Sequence, residues 1–519
     1  MRIEQKTSIQ NSIGRLIISA LSLLLQILWL VFLALKLTQY STLVEVGISV
    51  VAFALAMWVY DLRNLNSNYK TPWIFLILAF PILGLTLFLL FGNRNTKKAR
   101  RRMDRVHSQC LQTFRERSIP LEALEDEELG IVNQFAYLVQ HEKYPLYSNT
   151  AVKFYATAET GYEDIVDAVK KAKKYIYMEY FAIQPRSAFL RLQEILLEKI
   201  SEGVEVRIMY DDVGSIGFLN GGFAKEMQAL GIKCRAFNRV SPAFRLYMNN
   251  RDHRKITVVD GKVAFTGGFN IADEYFNITH PYGHWKDTGV RLEGDAVESL
   301  LCMFLEMWNS TEDEQEDLAR YHLTAEEKTE SNSKEYGDGY VLPYADSPLD
   351  ESRVGENVYL NMIGNAKKTL YITTPYLILS DEMKIALQLA ALRGVDVRIV
   401  LPGIPDKRVV YRLSRSYYHD LMRAGVKIYE YTPGFIHCKQ FVADDELAIV
   451  GTINLDFRSL FLHFENGVLL YKVDAVHEVT KDMLTLFEQS NLVQEPFLEK
   501  QKLHVRIVNC FLRIIAPLI

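Results

Sequence analysis

His253–Asn270 reads HRKITVVDGKVAFTGGFN and His437–Asn454 reads HCKQFVADDELAIVGTIN, so two stretches keep His, Lys, Asp, Gly and Asn at the same offsets. In the first, the runs ITVV and KVAFTGG flank an Asp260-Gly261 pair, the pattern of two strands joined by a tight turn. Residues two apart on a strand share a face, so His253 and Lys255 point the same way, and His437 and Lys439 repeat the arrangement. The second strand ends in Gly267, Gly268 and Asn270 in one copy and in Gly451, Thr452 and Asn454 in the other. A returning strand lies beside the first, which brings the Asn amide next to His and Lys. Small residues there let backbone N–H groups approach an anion. Asp260 and Asp444 complete the two His-Lys-Asp sets; a hairpin turn favours Asp in any case, so their expected part is to hold the strand pair.

Outward from these stretches the repeat continues. AKKYIYMEYFAI from Ala172 matches AKKTLYITTPYLI from Ala366, GVEVRIMYDD from Gly203 matches GVDVRIVLPG from Gly394, and LGIKCRAFN from Leu230 matches AGVKIYEYT from Ala424. The offsets of 194, 191 and 194 residues describe a duplicated α/β domain, each copy alternating Val-, Ile- and Tyr-rich strands with helical segments. The first copy carries an extra NRVSPAFRLYMNN before its histidine, with Arg239 and Arg245, which reads as a loop at the lip of a site or an inert surface loop. The charged stretch AEEKTESNSKEYGDG from Ala325 reads as the linker between copies. The expected division is 1–95 membrane anchor, 96–145 basic juxtamembrane and connecting region, 146–324 first lobe, 325–345 linker, 346–498 second lobe and 499–519 amphipathic tail.

The anchor rests on three apolar runs, from Leu16, Ser41 and Pro72, each close to the ~20 residues that span a bilayer. No cleavage site follows the first, so retained anchors are expected over a removed signal. Pro81 and Gly84 suggest that the third kinks or re-enters. The run NRNTKKARRRMDR that follows places the large domain on the cytoplasmic side of the cell membrane, and Arg2, Lys6 and Arg15 favour an N-terminus on that side too. Two spans plus a re-entrant segment satisfy both. In the tail, Leu503, Ile507, Phe511, Ile514 and Leu518 oppose Lys502, Arg506, Asn509 and Arg513, a helix suited to a membrane surface or to burial against the domain. A net charge of −4 gives no global polyanion-binding signature, which with the apolar runs argues against nucleic acid. Five scattered cysteines without a CxxC pair argue against both a disulfide framework and a zinc site. Nothing in the chain reports an oligomeric state.

Each copy thus offers an imidazole, an ammonium and an amide around one point. That set suits a phosphate: Lys neutralises charge and Asn donates a hydrogen bond. No metal ligand set accompanies it, and a lysine beside each histidine opposes a cation, so neither metal nor cofactor is expected. Two copies facing across a pseudo-twofold axis place two histidines on opposite sides of one phosphorus, one to attack and one to move protons.

The paired HxKxxxxDxxxxxxGxxN pattern resembles the phospholipase D superfamily. With the FPILGLTLFLLFG anchor, NLDFRSLFLHFE and the ending FLRIIAPLI, the chain is similar to bacterial cardiolipin synthases. The resemblance implies two pseudo-symmetric phospholipase D-type lobes. It also implies phosphatidyl transfer between two phosphatidylglycerol molecules at an anionic membrane, through a phosphohistidine and without metal. It makes His253 the nucleophile and His437 the general acid and base, and it places a carboxylate downstream of each motif to orient its histidine: Glu465 after His437 and Asp287, in HWKDTGV, after His253. Gly268 and Thr452 stand where many members have Ser, and His463 where relatives often have Asn. Glu179 fits a structural or a substrate-side role, and Tyr417 and Tyr418 fit packing. Lipid hydrolysis, a nuclease and a non-catalytic membrane scaffold are the competing readings.

Overall fold

A computed structural model of the chain describes residues 42–62, 67–88, 97–114, 117–239, 250–311, 316–324, 339–349, 352–494 and 503–516, with isolated positions between 21 and 36. Residues 240–249 of the extra loop, most of the charged linker and most of the first apolar run lie outside these.

The first lobe is built on β1 (Thr150–Tyr155), β2 (Tyr175–Tyr180), β3 (Glu205–Asp211), β4 (Lys233–Phe237), β5 (Arg251–Asp252), β6 (Lys255–Val259), β7 (Val263–Gly267), β8 (His284–Lys286) and β9 (Gly289–Gly294). Its main sheet runs β1-β9-β7-β6-β2-β3-β4. Strands β2, β3 and β4 are parallel and joined by helices, as parallel neighbours require, whereas β6 and β7 form a hairpin. The hairpin turns at Asp260 and Gly261 with φ of 55° and 67°, a left-handed pair that matches the twist of the strands.

The second lobe repeats the plan with β10 (Tyr340–Asp346), β11 (Thr369–Thr373), β12 (Asp396–Pro402), β13 (Lys427–Tyr431), β14 (Gly434–Ile436), β15 (Gln440–Ala443), β16 (Leu447–Gly451), β17 (His463–Tyr471) and β18 (Ser490–Leu492). Its sheet runs β10-β17-β16-β15-β11-β12-β13-β18. Strand β10 begins inside the stretch expected as linker, because Val341 and Leu342 pair with β17 and are fully buried. The connecting region touches both lobes: helix Lys97–Phe114 packs on helix Val297–Thr311, where His107 Nδ1 lies 2.6 Å from Glu306, and Gln134 donates to the Val358 carbonyl.

Each lobe has an outer core under its own helices, and a third core lies between the sheets, joining Ile256, Val258 and Ala264 to Val442, Val450 and Val468 through Phe304 and Met307. The lobes also exchange strands. Strand β5, just before His253, runs parallel to β17 of the second lobe; β14, just before His437, runs parallel to β8 of the first. Chain pairing therefore delivers each histidine to the opposite lobe.

At the N-terminal end, helices cover Thr42–Asp61, Ser67–Ala79 and Pro81–Leu87. The third apolar run is broken at Phe80, and a Cβ on Gly84 would lie 2.6 Å from the Ile77 backbone. Among the described residues no helix is long and apolar enough to cross a membrane.

Candidate active site

Backbone hydrogen bonds fix the geometry first. His253 N–H donates to the Phe464 carbonyl at 2.9 Å and His437 N–H to the Lys286 carbonyl at 2.8 Å. The next residue on each accepting strand is a carboxylate. His253 Nδ1 consequently lies 2.9 Å from Glu465 Oε2, and His437 Nδ1 lies 2.6 Å from Asp287 Oδ2. This corrects the expected pairing: each carboxylate orients the histidine of the other lobe, not of its own, because the strand exchange sets it there. The arrangement turns Nε2 of each ring away from its carboxylate.

Lys255, the first residue of β6, and Lys439, just before β15, stand two residues on and turn back toward their histidines. Lys255 Nζ donates to the His253 carbonyl at 2.5 Å. Lys439 Nζ sits 2.9 and 3.0 Å from the two ring nitrogens of His437 and also donates to the His437 carbonyl. All four side chains are buried. Burial pushes Lys255 down to about 7 and Lys439 to about 8, and it pushes His437 down to about 4, with Lys439 adding to the effect. His253 is driven well below its ordinary value by burial, then Lys255, His463, Lys439 and His437. Each histidine feels the other lobe's lysine, as expected of two half-sites sharing one centre.

The two carboxylates differ. Burial would raise Asp287, but His437 and Lys439 outweigh it and hold the group below its ordinary value. Burial wins at Glu465 and drives it well above, despite Lys255. Thr452 Oγ1 donates to Glu465 Oε2 at 2.5 Å, whereas a Cβ at the equivalent Gly268 would stand 1.9 Å from Asp287 Oδ1. The departure at Gly268 thus has a steric cause: Asp287 occupies the space a serine would need.

Other expected residues fall elsewhere. Asp260 and Asp444, grouped with the catalytic sets by their spacing, sit at the far ends of β6 and β15 from the histidines. Asp260 accepts N–H bonds from Lys173, Lys174 and Tyr175 at 2.8, 2.7 and 2.9 Å, and Asp444 from Lys367, Lys368 and Thr369 at 2.8, 2.6 and 2.9 Å. They clamp the start of β2 and β11 and do not reach the centre. Gly267 faces Gly289, and Gly451 faces Gly467; a Cβ on either would lie 2.5 or 2.4 Å from the neighbouring backbone. Their role is to let the carboxylate-bearing chain approach. The N–H groups of Gly268 and Thr452 donate to the carbonyls of Thr288 and Asn466, so they are not free for an anion as expected. Asn270 accepts from Ala182 N–H and donates to Tyr275 Oη at 2.7 Å, while the buried Asn454 Oδ1 has no hydrogen-bond partner. Glu179 is fully buried, and burial and then Asp252 raise it above the ordinary carboxylate range. Tyr417 and Tyr418 belong to the second lobe's core.

The rings around the histidines were not read from the sequence. Phe181 meets His253 edge-on at 4.9 Å, and His463 lies 5.5 Å from it. Tyr275 and Trp285 flank His437 at 5.2 and 5.3 Å. A signal existed: His463 and Trp285 each precede a carboxylate by two residues, the spacing that puts side chains on one face of a strand.

The chain matches the family described as "Cardiolipin synthase, PLD-like domain" over residues 165–308 and 359–487, one segment in each lobe. It is 33% identical to a cardiolipin synthase of Alkalihalophilus pseudofirmus across 88% of this chain and 90% of that one. With a cardiolipin synthase of Geobacillus thermodenitrificans it shares 34% identity across 92% and 94%. An uncharacterised protein of Streptococcus mutans is 42% identical across 88% and 98%. Among solved structures, phosphatidylserine synthase of Haemophilus influenzae shares the fold, with a TM-score of 0.55 over 74% of this chain and 98% of that one at 16% identity.

Proposed function

The chain belongs to the cardiolipin synthase family, phosphatidyltransferases of the phospholipase D superfamily, and on that premise we propose how its own residues carry the transfer. A phosphatidylglycerol phosphodiester lies between Lys255 and Lys439, which attract its single negative charge and the further charge that develops on its oxygens during displacement. His253 Nε2 attacks phosphorus; the P–O bond to the headgroup glycerol breaks and His437 Nε2 gives that oxygen a proton. A second phosphatidylglycerol then enters, its terminal hydroxyl loses a proton to His437 and attacks phosphorus, and the P–N bond breaks. The products are cardiolipin, glycerol and the starting enzyme.

The observation that carries this reading is the exchanged pairing, in which carboxylates hold both Nδ1 atoms, leaving Nε2 of His253 to attack and Nε2 of His437, 3.0 Å from Lys439 Nζ, to carry the proton. Asp287 supports the assignment of His437 as proton carrier, because a carboxylate held in its ionised form stabilises an imidazolium. Burial and then the lysine charges keep His437 neutral; the bound phosphodiester counteracts the lysines' share and so raises its affinity for the proton it must deliver.

The N-terminal apolar segments anchor the enzyme in the cell membrane, with the lobes on the cytoplasmic side. The tail helix Leu503–Ile515 supports lipid contact: Arg513 pairs with Asp420 and stacks on Tyr417, while Leu503, Ile507 and Phe511 stay exposed. Purified enzyme on phosphatidylglycerol vesicles is expected to yield cardiolipin and glycerol by thin-layer chromatography; phosphatidic acid as the main product identifies a hydrolase, and no product a scaffold.

A further inference from the structure

His463 is a titratable member of the central cluster to which the transfer reaction assigns no part. It sits on β17 two residues before Glu465, on the same face, and is buried against His253 and Phe181. Neither of its ring nitrogens has a hydrogen-bond partner, and Glu465 Oε1 lies 3.6 Å from His463 Nδ1. A buried imidazole left without partners is costly unless something visits it. His463 and Glu465, together with His253, place three donor atoms within 4.8 Å of one another.

We propose that His253, His463 and Glu465 form a site for a borderline-soft divalent ion of the Zn²⁺ class, and that its occupation inhibits the enzyme by withdrawing His253. Two imidazoles and one carboxylate are a donor set that Zn²⁺ takes with a fourth position left open. Coordination through Nε2 ties up the nucleophilic lone pair, and coordination through Nδ1 breaks the bond to Glu465; either stops attack on phosphorus. Lys255 and Lys439 oppose any cation here, and that opposition sets the class. Hard ions such as Mg²⁺ and Ca²⁺ bind oxygen-rich cages through charge, which the lysines cancel, whereas Zn²⁺ gains from directed bonds to imidazole nitrogen. The inhibitory half of the inference rests on His253 being the nucleophile; the ion site itself does not.

The test uses the full-length enzyme in phosphatidylglycerol vesicles at buffered free Zn²⁺. Saturable inhibition reversed by a chelator is expected, with no effect of Mg²⁺ or Ca²⁺ at the same free concentration. His463→Asn, with His463→Gln as a second variant, should weaken the inhibition by roughly tenfold or more relative to each variant's own metal-free rate. In detergent, Co²⁺ should give the visible absorption of a low-coordinate site in the parent protein and lose it in both variants. Equal zinc sensitivity of parent and variants, or no bound ion, overturns the proposal. Cobalt bound through His463 with an undiminished rate keeps the ion site and overturns the role of His253, so the two failures are distinguishable.

Discussion

The two halves of the centre share a backbone plan and differ in chemistry. On one side His437 leans on Asp287, which His437 and Lys439 hold in its ionised form; on the other His253 leans on Glu465, which burial drives toward its neutral form. The rings beside them differ as well, Trp285 next to His437 and His463 next to His253. Duplication copies strand order and offsets, but protonation follows the few groups within reach of each carboxylate. Titratable pairs pushed apart in this way are how one fold separates nucleophile from proton carrier.

The comparison can be broken by substitution. His253→Ala and His437→Ala should each lower cardiolipin formation by roughly 10⁴-fold, measured on vesicles, because residues that act as a unit fail together. Acid-quenched mass spectrometry should find the phosphatidyl adduct on position 253 in the parent, and an adduct on 437 would invert the assignment. The carboxylates should separate next. Asp287→Asn removes a charge that His437 needs and should cost roughly 10³-fold, whereas Glu465→Gln alters a group that burial already drives toward its neutral form and should cost roughly tenfold. Equal losses would erase the asymmetry. Between these lies Gly268→Ser, whose Cβ would meet Asp287 Oδ1 at 1.9 Å; displacing that carboxylate should cost roughly 10²-fold in rate, with Thr452→Ser close to the parent.

The smallest effect concerns stability against pH. His437 titrates at about 4 in the folded protein against an ordinary 6.5. Between those values the unfolded chain binds the extra proton, so this contribution is intact above about 6.5 and declines as pH falls toward 4. The slope is about 1.4 kcal/mol per unit, and one unit of acidification from 6.5 should cost about 1 kcal/mol. Thermal melting of the detergent-solubilised protein checks it, and His437→Gln should flatten the profile.

Much of this was legible in the sequence. Near-constant offsets announced two α/β copies, and His-x-Lys on a strand located both half-sites. The aspartates have the structural part the turn suggested: five residues of extended chain carry Asp260 about 16 Å from Lys255, where it holds the start of β2. The expected anion-binding N–H groups of Gly268 and Thr452 turned out to be strand partners, since a sequence does not say where a backbone donor goes. The linker was drawn too long because β10 begins in a charged neighbourhood and becomes a strand only by pairing with β17.

By itself, then, the sequence determined the histidine and the lysine of each half-site, since these follow from local periodicity and repetition, while the carboxylates came from the resemblance to a known family. Which carboxylate serves which histidine was decided by tertiary structure alone. The pairing depends on β5 lying beside β17 and β14 beside β8, contacts between residues some 150 to 210 positions apart, and no local preference of the chain encodes them.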